Sequence, residues 1–463
     1  MNAGDPPLAP VPRIVHAAAM PADTPHVPVA IVGAGACGLT AAIALRDAGV
    51  ACLMLERDAR PRGSTALSSG FVPAAGTRVQ AGQGIADTTS RFAADIHAKT
   101  HGTAAPHLVA AYTDAAAPAL DRLGDHGLAF SVLDTFLYPG HSVHRMHTLA
   151  QRTGAALVDA LAGAAARAGA DLLCNAQVTQ LWVDAALPAH RVLGLGFLRP
   201  DGALEHVACC ALLLACNGFG GNPAMVAELL PAMRSALYAG HVGNDGSAIA
   251  WGRALGARLA DLGGYQGHGS WVVPQGALMT WAVMMEGGMQ LNALGQRFHD
   301  ETAGYSEASV QVLAQPGGVA WNVFDERQLA LARDFPDFCE AEAAGAVRRA
   351  DNAAALAALI GCPVEGLAPE LGRLSQPYYA VRVTGALFHT QGGLDIDAQC
   401  RVLHTDGHAF PNLWAAGGAA RSVSGNAVWG YLSGNGLLSA VAGGWIAAHS
   451  MSRQLQDHQK ALA

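Results

Sequence analysis

The stretch VPVAIVGAGACGLTAAIALRDAGVACLMLERD, residues 27–58, reads as strand, glycine turn, helix and second strand. VAIV and ACLMLE are unbroken apolar runs, the pattern of strands covered on both faces of a parallel sheet. The intervening CGLTAAIALRDAG has helical spacing and ends at Gly49, a residue suited to a helix C-cap. Gly33, Gly35 and Gly38 form G-x-G-x-x-G at the turn, and Glu56 closes the second strand 23 residues after Gly33. In this setting Gly33 turns the chain, Gly35 lets backbone amides approach a pyrophosphate, and Gly38 permits close helix–strand packing. Glu56 accepts from ribose hydroxyls and would repel a 2′-phosphate, which argues against NADP. The stretch therefore predicts a dinucleotide-binding βαβ unit.

Outward from this unit, composition sets the frame. The chain has 463 residues, 51% of them hydrophobic and 14% charged, with 55 glycines. It is long enough for two or more domains with a large core, and too apolar for a disordered chain. A formal charge of −8 with scattered basic residues argues against nucleic acid or an anionic membrane surface as partner. The nine cysteines are odd in number and lack C-x-x-C, which argues against a zinc site, a c-type haem or a disulfide framework. They fit a reducing compartment, and no metal site is expected. No run of about 18 apolar residues occurs, and the proline-punctuated first 26 residues lack a signal-peptide core. The expectation is a cytoplasmic protein without a membrane span.

Residues 1–26 read as a loose arm. Helical spacing dominates to about residue 168, ending in GAALVDALAGAAARAG. DLLCNAQVTQLWVD, VLGLGFLRPDG and HVACCALLLACNG then read as strands, and GSAIAWGRALGARLAD as a helix. Residues 267–382 change character, with more polar and aromatic residues and an alanine-rich helix at 341–360. Strands and glycine turns return from 383 to 463. The expected fold is α/β, with a discontinuous Rossmann-like domain, 27–266 and 383–463, and an inserted α+β domain at 267–382.

The segment after the second strand, RDARPRGSTALSSGFVPAAG, is rich in glycine and hydroxyls. A nicotinamide enzyme has no need of it, whereas a long FAD must be followed from ribose to isoalloxazine. There is no second G-x-G-x-x-G, so no separate NAD(P)H site is read. Together with GAGACGLTAAIAL, RGSTALSSG, LLLACNGFGGN, GNDGSAIAWGRALGA, GQRFHDE, ALFHTQGGLDID and NLWAAGG…SGNGLLSA, these features carry a resemblance. The chain resembles the FAD-binding flavoproteins of the fumarate reductase, succinate dehydrogenase and 3-ketosteroid dehydrogenase type over about residues 27–450.

The resemblance implies a GR2-type FAD domain closed by a capping domain, the latter at 267–382. Implied cofactor contacts are Gly33, Gly35, Ala36, Cys37, Gly38, Glu56, Arg57, Gly63, Ser64, Thr65, Ser68, Ser69, Gly70, Val178, Asn217, Gly218, Asn244, Asp245, Gly417, Asn435, Gly436 and Leu437. Succinate-oxidising members attach FAD through a histidine at the position of Ser64, so FAD is expected here without a covalent link. The glutamate that binds the ribitol chain in the family falls on Gly418.

The departures bear on substrate. Aligned on the family's R-F-x-N-E motif, RFHDETAGYSEASVQVL puts Tyr305 where fumarate reductases keep a proton-delivering arginine. Their supporting Glu and Arg fall on Trp281 and Met284, and Tyr431 in YLSGN replaces a second, substrate-binding arginine. Arginine clamps carboxylates, whereas phenols bind a neutral carbonyl and exchange one proton. The 3-ketosteroid dehydrogenases resemble this pattern, with tyrosines at both positions, and the Δ4-type members share a Y-x-S turn like Tyr431-Leu432-Ser433.

Tyr305, Tyr431 and Ser433 are therefore the expected catalytic groups, with His389, His268, Arg145 and the Gly434 backbone about the substrate. The expected activity is FAD-dependent desaturation beside the carbonyl of a cyclic ketone, a 3-ketosteroid or a cyclohexanone-type ring. The α-proton would be abstracted and hydride given to flavin N5, with electrons passing to an external acceptor such as a quinone. Two alternatives stand beside it: a fumarate-reductase-like enzyme reducing α,β-unsaturated carbonyl or carboxylate compounds, and a non-catalytic flavin-binding protein.

Overall fold

In the computed structural model, residues 12–185 and 190–462 are described. The first eleven residues of the expected arm lie outside them. Within the rest of that arm, Arg13–Ala17 (β1) is a strand, paired in parallel with Gln177–Asp184. The βαβ unit follows as His26–Val32 (β2), Ala36–Asp47 (α1) and Cys52–Leu55 (β3).

A nine-stranded sheet runs β1, Gln177–Asp184, Val192–Leu198, Leu204–Leu214, β2, β3 and Asp171–Leu173, with Ala409–Ala415 and Arg401–Leu403 completing it. The central register is parallel: Leu212 lies opposite Ala30 and Leu413, and Ala30 opposite Leu53. Val29, Ala30, Ile31, Leu212 and Leu213 are fully buried, as strands covered on both faces require. Gly33, at φ +101°, makes the turn, and a Cβ on Gly38 would sit 2.0 Å from the Gly33 carbonyl. That contact explains why no larger residue can stand at position 38, in the first turn of α1. The other face of α1 meets the final helix, Asn435–Leu462, where a Cβ on Gly444 would lie 2.4 Å from the Cys37 carbonyl.

A second, seven-stranded sheet is organised around the long strand Tyr378–Thr390. It pairs antiparallel with Tyr265–Val272 and Val319–Phe324, and Ala277–Leu278, Met289–Leu291, Leu237–Tyr238 and Arg348–Ala350 add the remainder. Helix Tyr305–Leu313 lies flat on this sheet because glycines face it. A Cβ on Gly269 would come within 2.6 Å of the Ala308 Cβ, and one on Gly385 within 2.2 Å of the Ser309 carbonyl.

The alanine-rich stretch 341–360 is not one helix. Pro336–Ala343 ends before Gly345 (φ +73°), Arg348–Ala350 pairs with Tyr378–Ala380, and a new helix, Ala353–Ile360, starts at the Asn352 cap. Pairing with the central strand outweighs helix propensity there. No single helix among the described residues is long and apolar enough to cross a membrane.

Candidate active site

One elongated cavity links the glycine turn after β2 to the start of the final helix. At the first end, Glu56 is buried and its carboxylate is already aimed, accepting from the Ala34 N–H at 2.9 Å and the Asp58 N–H at 3.0 Å. Burial pushes its pKa up, and those two amides oppose the rise. Arg57 is the one cation of the cavity wall among the described residues, and it is held by the Gly243 carbonyl and by Asp245 at 3.2 Å. Thr65 Oγ1 accepts from the Ala36 N–H at 3.0 Å, fixing the hydroxyl-rich loop on the glycine turn. Asn244 donates to Ser64 Oγ at 2.7 Å. Cys37 is buried and its thiol is pushed up to about 12, so it is neutral wall rather than a nucleophile.

At the other end stand the two tyrosines. Tyr305 is the first residue of its helix and Tyr431 lies in the turn before the final helix; both are buried. Their ring centroids are 6.0 Å apart at 61°. His268 stacks on Tyr305 at 4.7 Å, and His389 meets Tyr431 edge-on at 5.7 Å. Burial lowers His268 to about 3 and His389 to about 4, so both are neutral near pH 7. His268 Nδ1 accepts from the Ser270 N–H, which assigns that ring's proton to Nε2, and His389 Nδ1 lies 2.9 Å from Gln391 Nε2 and 3.2 Å from the Thr390 carbonyl.

Burial also raises Tyr431, to about 12, opposed by the Gly436 N–H, the Tyr305 hydroxyl and the Gly434 N–H. Tyr305 is raised further, by burial and then by Tyr431, with the Ser433 hydroxyl acting against the rise. Both phenols are therefore protonated near pH 7. Trp281 lines this end of the cavity and donates to the Glu301 carbonyl at 3.1 Å, while Met284 is buried away from the wall.

Arg145 is not with this group. Its guanidinium is buried under Phe92, paired with Asp87 at 2.8 Å and Asp95 at 2.5 Å, and outside the cavity wall. It also donates to His141 Nδ1 at 3.3 Å, and His141 Nε2 donates to the Ser433 carbonyl at 2.9 Å. Four of its five N–H groups are spent on these partners, so Arg145 fixes the Tyr431–Gly434 turn through His141 instead of meeting substrate.

The family model for the FAD binding domain matches residues 28–437. The chain belongs to that family. It is thus a flavoprotein, and its named relatives are oxidoreductases. It is 26% identical over 453 residues to the NADH:fumarate oxidoreductase of Klebsiella pneumoniae, covering 92% of this chain and 48% of that one. The chain thus spans about half the length of that relative. The open conformation of a flavocytochrome c3 fumarate reductase superposes with a TM-score of 0.79 at 25% identity, covering 94% of this chain and 79% of the other. The 3-ketosteroid-Δ4-(5α)-dehydrogenase of Rhodococcus jostii RHA1, solved with 4-androstene-3,17-dione, superposes at 0.76 with 23% identity, over 95% and 99% of the two chains. The fold is that of the fumarate reductase flavoproteins, a family of FAD-dependent oxidoreductases acting on CH–CH groups.

The flavoprotein's wall fits an FAD. A glycine turn opening a helix, an oriented ribose acceptor in Glu56 and a second helix start near Asn435 supply the contacts such a cofactor needs. Asn435 Oδ1 is buried without a hydrogen-bond partner among the described residues, although Asn435 Nδ2 donates to Ser424 at 3.0 Å. Gly33, Gly35, Gly63, Ser68, Gly70, Val178, Asn217, Gly417, Gly436 and Leu437 also line the cavity.

Gly38, Gly218 and Asn435 do not reach the wall. Gly38 serves the helix–strand contact, and a Cβ on Gly218 would strike Thr390 Oγ1 at 2.0 Å. The Ser69 hydroxyl is committed to Asp337 Oδ2 at 3.1 Å. The position expected to carry a ribitol-binding glutamate cannot do so here, because a Cβ on Gly418 would lie 1.9 Å from Asn217 Oδ1. Sequence reading missed Tyr138, Phe71, Phe335 and Asp337, all in the wall near the tyrosines. No local signal marks them, since their loop and short helix read as ordinary surface.

Proposed function

We propose that this flavoprotein is a dehydrogenase that introduces a C=C bond beside the carbonyl of a cyclic ketone. One observation carries the reading: two facing phenols and two neutral histidines stand at one end of the cavity, and the only lysine or arginine in its wall among the described residues is Arg57, beside Glu56 at the other end. A dicarboxylate would enter that end without a charge partner, at the cost of desolvating both carboxylates. A ketone needs only hydrogen-bond donors at its oxygen, where negative charge develops during α-proton removal.

In this reading the Tyr431 hydroxyl, its oxygen held by the Gly434 and Gly436 amides, donates to the carbonyl oxygen, while Tyr305 and Ser433 relay the α-proton. Each gives up its own hydroxyl proton as it accepts one, a proton reaches the carbonyl oxygen through Tyr431, and that enol proton is released as hydride leaves the neighbouring carbon. Burial and the neighbouring Tyr431 hold Tyr305 protonated, so no preformed phenolate serves as base and proton transfer within the Tyr305–Tyr431–Ser433 cluster is concerted with bond breaking. FAD, when bound, supplies the two-electron acceptor; Ser64 offers no nitrogen to attach it, so it binds without a covalent link. The seven-stranded sheet and its helices, broadly 267–382, act as the cap. An external carrier such as a quinone takes up the electrons, and the protein works in the cytoplasm.

The second reading is a reductase of α,β-unsaturated carbonyl compounds, favoured by the fumarate-reducing relative that matches 92% of this chain. The same phenols would then deliver a proton. Dye-coupled assays separate the two. Incubation of the purified yellow protein with cyclic ketones and an artificial acceptor should yield products lighter by two hydrogens. Products lighter by two hydrogens from succinate, or steady reduction of an enoate with inert ketones, would defeat the desaturase reading.

A further inference from the structure

The cavity wall that holds the two tyrosines also carries the Asp337 carboxylate. Asp337 stands in the first turn of helix Pro336–Ala343 and lines the same wall as Phe71, Tyr138 and Phe335. These rings close an aromatic box: Tyr138 lies 4.6 Å from Phe136 and 5.9 Å from Phe71, and Phe136 lies 5.6 Å from Phe335. Tyr138 lies in the same cavity wall as Asp337 and Tyr431.

Asp337 Oδ2 accepts from Ser69 Oγ at 3.1 Å, and no cation lies within ion-pair distance among the described residues. Burial pushes its pKa up, the Ser69 hydroxyl opposes the rise, and the nearby Glu340 adds to it. A carboxylate facing an aromatic box with one hydrogen bond keeps acceptor capacity for a guest. It would repel an anion and has no complement in an all-carbon ring.

We propose that Asp337 sets substrate class: the ketone carries a hydrogen-bond donor, a hydroxyl or an ammonium, on the side of the ring remote from the carbonyl. This rests on the ketone reading of the tyrosine pair. A substrate so built would span the cavity, its oxygen at Tyr431 and its donor at Asp337, with the aromatic box gripping the ring between them.

The test uses the FAD-loaded protein and four probes: cyclohexanone, 4-hydroxycyclohexanone, 4-methoxycyclohexanone and 4-aminocyclohexanone. Binding is read from perturbation of the oxidised flavin spectrum, and turnover separately from its bleaching. The hydroxy or amino ketone should bind at least about tenfold tighter than cyclohexanone, as a charge-assisted hydrogen bond implies. The methoxy ketone, of similar size but without a donor, should show no such gain. Hydroxyl and ammonium arms separate a neutral from a cationic donor.

In D337L the preference should vanish; D337N, closer in shape, covers the case in which D337L does not fold. Equal binding of all four probes, or a preference unchanged in both variants, overturns the proposal. Donor-dependent binding without any bleaching would leave the Asp337 assignment standing while removing the desaturase reading. Bleaching without a donor preference would do the reverse.

Discussion

Tyr431 owes its place to its neighbours. Gly434 adopts φ +85°, and a Cβ there would strike Pro73 at 2.7 Å, so the turn closes tightly and carries the phenol into the cavity. Replacing Tyr431 or Tyr305 by Phe removes one hydroxyl and almost no volume. Flavin content should be unchanged, and the rate of flavin reduction should fall by about 10²–10⁴-fold, as measured by stopped-flow absorbance. Arg145→Met tests a different kind of residue. It strands Asp87 and Asp95 in the interior and should cost roughly 3–5 kcal/mol of stability in urea unfolding, with Arg145→Lys recovering part. Tyr431 and Ser433 were legible because they sit beside a recognisable helix start. Arg145 was misassigned because its aspartates lie 58 and 50 residues away in the chain, and nothing local announces that they consume it. Asp337 was missed for a similar reason: an acid near a helix start reads as a solvated cap residue.

At the scale of elements, the helix that begins with Tyr305 is aimed by a steric fit and a tether. Gly269 and Gly385 let it lie on the sheet, and Lys99 clamps Glu307 and the Ala303 carbonyl from the neighbouring helix Thr89–Lys99. Gly269→Val would overfill the contact with Ala308. It should destabilise the protein by about 1–3 kcal/mol and slow flavin reduction while FAD stays bound, which calorimetry and rapid mixing can read together. The βαβ unit was legible because each of its parts follows a local rule. The broken helix at 341–360 was not, since alanine content reports helix propensity and says nothing of a central strand that recruits Arg348–Ala350.

For the whole molecule, buried neutral histidines tie stability to pH. His141 and His147 are held at about 4 and His268 at about 3, mainly by burial, against an ordinary 6.5. Between those values the unfolded chain binds protons that the folded one does not. Stability is therefore full above pH 6.5, falls as pH drops toward 4, and levels off once the folded histidines also protonate. Over the full window His141 and His147 each contribute roughly 3 kcal/mol to that fall, and His268 roughly 5 kcal/mol. Urea midpoints at about pH 7.5 and about pH 5 should differ accordingly, and His147→Gln should shrink the difference.

The account rests on a cation-free pair of phenols at the far end of a flavin cavity, so the decisive measurement is an anaerobic titration of the FAD-loaded protein. Cyclic ketones should bleach the flavin band, and succinate should leave it untouched. Bleaching by succinate, or reoxidation of the reduced protein by fumarate with no response to any ketone, would contradict it.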